Sequence, residues 1–96
     1  MNDHLEIDRY VIETLMRDLV GHDRRPASYL TFLAILAAAN GRPVALSHQQ
    51  LSHATGLSKR AVQNALAHLG RRGLMRIERR AVTEAAILTP LTPWTR

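Results

Sequence analysis

The chain has no cysteine, which excludes disulfide staples, thiolate metal sites and a cysteine nucleophile. It also lacks any long hydrophobic run. The longest, Phe32 to Ala39, has eight residues, far short of the roughly 20 a membrane helix needs, so no membrane role is expected. The first eight residues, "MNDHLEID", are polar and acidic and do not read as a secretion signal. No internal repeat, glycine-rich phosphate loop or low-complexity tract is present beyond the alanines at 37–39. The five histidines (His4, His22, His48, His53 and His68) fall in no zinc-like spacing with carboxylates, so no metal and no cofactor are expected. His48, His53 and His68 are expected to face solvent or a ligand surface.

What is present fits one small globular domain: 96 residues, 46% of them apolar, enough for a single modest core. The net charge of +5 is unevenly spread. Residues 1–39 carry four cations against six carboxylates, a balance of −2, and residues 40–96 carry nine against two, a balance of +7. A cationic half on an otherwise balanced chain favours a polyanionic partner, nucleic acid first.

The periodicity predicts a first amphipathic helix over residues 3–20, with Asp3 and Glu6 as a capping box and Gly21 as its stop. Its apolar stripe is Leu5, Ile12, Leu15, Met16 and Leu19, with Val11 and Val20 beside them. A second helix starts at Pro26 and runs to about Ala39, apolar nearly all round and closed by Asn40-Gly41. "VAL" (44–46) reads as a short extended piece. "SHQQ" (47–50) is a second capping box opening a short helix to about Ala54. Gly56 suits a left-handed turn position, and Ser58 caps a helix from Lys59 to about Leu69. After Gly73 the period drops to two, so residues 74–80 and 85–91 read as a β-hairpin with a longer loop.

Two short helices joined by "TGLS" are the pattern of a helix-turn-helix. Residues 30–78, and above all "LSHQQLSHATGLSKRAVQNALAHLGRRGLMRI", resemble the winged helix-turn-helix domains of bacterial regulators, such as the MarR-like and GntR-like groups, and related domains of plasmid and phage replication proteins. The hairpin departs from these families in having no glycine at its tip. The fold class expected is mainly α with a small β-hairpin: a winged helix-turn-helix over residues 26–96, with an extra N-terminal amphipathic helix over residues 1–22 as a possible dimerisation arm.

The resemblance implies that helix 59–69 lies in the DNA major groove. The residue pattern agrees. With Val62, Leu66 and Leu69 facing inward, Lys59, Arg60, Gln63, Asn64 and Ala67 face outward, near the helix end that enters the groove. Gln and Asn can pair with adenine, Arg with guanine, and Ala67 leaves room for a thymine methyl. Ser47 and Ser58 stand at helix starts, where phosphates bind. Arg71, Arg72, Arg76, Arg79 and Arg80 follow on the helix end and the hairpin and supply backbone contacts. Leu5, Ile12, Leu15, Met16 and Leu19 are the expected dimer interface.

The function expected is sequence-specific binding of double-stranded DNA by a small homodimeric transcriptional regulator of the bacterial cytoplasm, at the nucleoid. It is not expected to be an enzyme, and no small-molecule ligand is evident. The alternatives are a protein–protein interaction module on the same fold and the DNA-binding module of a replication initiator.

Overall fold

The computed structural model describes residues 3–79 and 85–95. It is mainly helical, with a small three-stranded antiparallel sheet.

The N-terminal helix spans residues 9–22 and contains two stretches of i→i+5 bonding, Val11–Leu15 and Arg17–His22. The Met16 amide bonds to the Val11 carbonyl, and the Asp23 amide to the Asp18 carbonyl at 2.9 Å. The expected start at Asp3 does not form. Residues 3–8 are non-helical, and Asp8 caps the helix by accepting from the Tyr10 amide at 2.9 Å. Gly21 lies inside the helix rather than ending it.

The wider turn also changes which residues line up. A 3.6-residue period groups Ile12 with Leu15 and Leu19. Bonding of the i→i+5 type spreads a turn over more than four residues, which swings Ile12 away from Leu15 and Leu19 and leaves Val11 with them on the buried side. Val11, Leu15 and Leu19 are buried (1%, 3% and 0% exposed), while Ile12, Met16 and Val20 are turned outward. The helix thus packs as part of the same core as the rest of the chain.

Helix α1 (Pro26–Ala39) has Pro26 at its first turn and ends on Asn40 in the left-handed region, φ +48°. Tyr29, Phe32, Ile35 and Ala39 are buried, but Leu30 is 45% exposed, so the helix is not enclosed all round. The Tyr29 hydroxyl donates to the Val11 carbonyl at 2.9 Å, fixing α1 against the N-terminal helix.

Helices α2 (His48–Thr55) and α3 (Lys59–Arg71) form as their end residues direct. The Ser47–Gln50 capping box is complete, with Ser47 Oγ accepting from the Gln50 amide at 3.0 Å. Ser58 Oγ accepts from the Ala61 amide at 3.0 Å. Gly56 takes φ +79° at the end of α2, a conformation a residue with a Cβ resists. Ser52 Oγ donates to the Leu57 carbonyl at 2.6 Å, which braces the turn from within.

The sheet comprises β1 (Val44–Leu46), β2 (Met75–Glu78) and β3 (Ala86–Pro90), in the order β1-β3-β2. The "VAL" segment is therefore a third strand beside the hairpin, with Val44 opposite Leu88 and Leu46 opposite Ala86. Pro90 closes β3 opposite Met75. It lies two residues beyond the last β1 pair, at Leu88, so its missing N–H takes nothing from that ladder. Phe32, Leu51, Val62, Leu69 and Leu88 join Leu19 at the centre of one core. Among the described residues no helix is long and apolar enough to cross a membrane.

Candidate nucleic-acid interface

Helix α3 is sharply two-sided. Val62, Ala65, Leu66 and Leu69 are buried, and Lys59, Arg60, Gln63, Asn64, Ala67 and Arg71 are exposed. The inward residues recur every three or four positions and pack on α1 and α2. The outward set is left with two cations and two amides on the first turns. Ser58 caps those turns, so the helix start is well ordered by its own sequence. Arg76 and Arg79 are also exposed, on and just after β2. Arg80 lies outside the described residues. Ser47 and Ser58 already bond the helix amides through their side-chain oxygens, so their shown role is capping.

Two expectations need correction, and one expected contact residue is already engaged. Arg72 is exposed like Arg71, but it is ion-paired within the chain. Its Nε donates to Asp23 Oδ2 at 2.8 Å and an Nη to Asp18 Oδ2 at 2.5 Å. It sits at the end of α3, where the chain turns back toward the N-terminal helix, and two carboxylates of that helix and its end outcompete solvent for it. Leu15 and Leu19 are core residues, 3% and 0% exposed, and are not open to a second chain; Leu5, Ile12 and Met16 remain exposed at 46%, 47% and 38%. His68, finally, does not face solvent. It is 8% exposed, with Nδ1 2.8 Å from Ser28 Oγ and Nε2 2.9 Å from Asp23 Oδ2.

These last contacts form a polar cluster that sequence reasoning missed. Asp23 receives His22 on one oxygen, at 2.8 Å, and both His68 and Arg72 on the other. The bonds from His22, with those from Arg72 and His68, hold its carboxyl below the ordinary 3.8 against the opposing effect of burial. Burial works to lower the Arg72 pKa, but Asp18 and Asp23 outweigh it and push the guanidinium up. The only signal in the sequence was His68 on the inward side of α3, one position before Leu69.

A serine, a histidine and an aspartate in a row invite a catalytic reading. Ser28 is 1% exposed, however, so its hydroxyl is closed to a substrate, and its bond to His68 joins α1 to α3. Asp18, His22 and Asp23 place one donor atom each within 4.8 Å of one another. A cation entering there would displace the Arg72 guanidinium from both carboxylates. A cleft of about 250 Å³ beside this cluster is walled by Tyr10, Trp94, Asp18 and Arg72. It is smaller than the roughly 300–1,000 Å³ typical of ligand pockets, and its charged walls already pair with each other. The Trp94 ring stacks on Tyr10, with centroids 4.6 Å apart, and its Nε1 donates to Asp8 Oδ2 at 3.2 Å.

Compared with protein-family models, curated proteins and solved structures, the chain shows no significant match to any.

Proposed function

We propose that the chain is a winged helix-turn-helix protein that reads double-stranded DNA with α3 and acts as a dimeric transcriptional regulator. The observation that carries this reading is the outward face of α3: Lys59, Arg60, Gln63, Asn64 and Ala67 are all exposed on one side of a helix whose other side is anchored in the core. Gln63 and Asn64 are suited to base edges, and Lys59 and Arg60 to guanine or phosphate. Arg71, Arg76 and Arg79 add backbone contacts, which give affinity without sequence information. The +7 balance of residues 40–96 supports a polyanion as the partner.

The test is selection of bound sequences from random duplex DNA, followed by titration over a range of salt. About six phosphate contacts give a log–log slope near −5. Gln63→Ala and Asn64→Ala then weaken selected sites by about 1–3 kcal/mol and random DNA far less. Equal loss on both kinds of DNA would remove these two residues from base reading, and absence of binding at low salt would end the proposal.

One observation favours a second reading, a protein-docking module: Ile12, Met16 and Val20 form an exposed apolar line on the N-terminal helix. Such a module shows little DNA binding even at low salt.

A further inference from the structure

The open edge of the sheet belongs to β2, and its pattern is self-complementary. The Leu91 amide bonds to the Leu74 carbonyl at 2.9 Å. Bonded pairs alternate along an antiparallel ladder, so with Arg76 opposite Thr89 and Glu78 opposite Ile87, these two pairs are the next bonded ones. The main-chain N–H and C=O groups of Met75 and Ile77 therefore turn away from β3, toward the free side. The other edge, β1, has only three residues and follows Pro43, which blunts it.

We infer that β2 is the surface on which a second copy of this chain docks, antiparallel and centred on Ile77, so that two sheets join into one. In this register Ile77 meets the partner's Ile77 as a bonded pair. Arg76 then stands directly opposite the partner's Glu78, and Glu78 opposite the partner's Arg76. These are non-bonded pairs, the type in which opposed residues come closest, about 4.5 Å between Cα atoms. Both Arg76 and Glu78 are exposed, and among the described residues neither has an ion-pair partner.

The charge pattern also selects the register. Centring on Arg76 would oppose two guanidiniums, and centring on Glu78 two carboxylates; only Ile77 at the centre gives two opposite-charge pairs. Ile77, 37% exposed, gains cover from the partner strand. This inference is argued from the β2 edge alone and does not rest on DNA reading. Arg76 serves one contact at a time, so a copy paired through β2 holds DNA through α3 and Arg79.

The test is sedimentation of the full chain over a concentration series. A reversible dimer is expected. Arg76→Glu and Glu78→Arg each weaken it about tenfold or more, as like charges then oppose across the strands. The combined swap, Arg76→Glu with Glu78→Arg, restores it, which separates pairing from damage to the fold. Ile12→Asp leaves it unchanged. A chain that stays monomeric, a swap that fails to restore the dimer, or a dimer lost in Ile12→Asp but kept in Glu78→Arg would each overturn the proposal.

Discussion

His68 Nε2 lies 2.9 Å from Asp23 Oδ2, a contact between residues 45 positions apart that ties the last turns of α3 to the end of the N-terminal helix. The same oxygen accepts from Arg72. A carboxylate oxygen only accepts, so His68 Nε2 carries a proton, and in the neutral ring Nδ1 accepts from the Ser28 hydroxyl. The pose of α3 thus depends on a few polar atoms as well as on its buried leucines. His68→Ala leaves Ser28 and one contact of Asp23 unmet in a shielded site. The expected loss is about 2–3 kcal/mol in urea unfolding; a change below about 0.5 kcal/mol would show the cluster to be incidental.

Acid should loosen the fold through the same carboxylate. The Asp23 pKa is lower in the folded chain than its ordinary 3.8. Its contribution is therefore full above that value and fades as pH falls through it toward the folded pKa. Unfolding midpoints measured between about pH 6 and pH 2 should drop most steeply at the acid end. Asp23→Asn should lower stability at neutral pH and flatten that drop. A variant as acid-sensitive as the parent would place the dependence on other carboxylates.

Gly56 is held by backbone conformation alone. Its φ is +79°, and a Cβ built there would meet nothing within 4 Å. Gly56→Ala should cost about 1–2 kcal/mol, the penalty of the left-handed region, and lower the melting temperature by roughly 4–8 °C for each kcal/mol. An unchanged melting temperature would mean that the turn between α2 and α3 relaxes freely.

Thr31 offers the opposite effect. It is fully buried on α1, and among the described residues its Oγ1 has no hydrogen-bond partner. Thr31→Val keeps the shape and removes the unmet hydroxyl, so stability should rise by about 1 kcal/mol. A loss on this substitution would reveal a bonded partner for the hydroxyl.

Arg71 and Arg72 are neighbours with different expected behaviour. Arg71 is exposed, while Arg72 is bound to Asp18 and Asp23. If the chain reads DNA as proposed, Arg71→Ala reduces the salt slope by about 1. Arg72→Ala leaves the slope alone and instead lowers the urea midpoint. The reverse outcome would show that Arg72 leaves its carboxylates to reach DNA.

The α2–turn–α3 region was legible in the sequence because each of its features is local. Ser47, Gln50, Gly56 and Ser58 act within four residues of themselves, and the two faces of α3 follow from Val62, Leu66 and Leu69. Long-range partners left weaker marks. Nothing near "VAL" says that it pairs with β3 some 40 residues later, and nothing near Arg72 names Asp18. The N-terminal helix was misread for a geometric reason. An assumed 3.6-residue period put Ile12 beside Leu15 and Leu19, and i→i+5 bonding separates them. The start was misplaced as well, since Asp3 and Asp8 are both plausible caps and only Asp8 bonds a helix amide.

The stack of Trp94 on Tyr10 gives the molecule its own optical reporter. Trp94 is the single tryptophan, and it rests on the first turn of a helix whose buried side reaches the central core. If that helix peels away, the indole loses its ring neighbour and its bond to Asp8 together. Its emission then shifts to the red before the helices of residues 26–71 melt, so fluorescence and circular dichroism followed on one sample distinguish detachment of the amino-terminal segment from collapse of the whole chain.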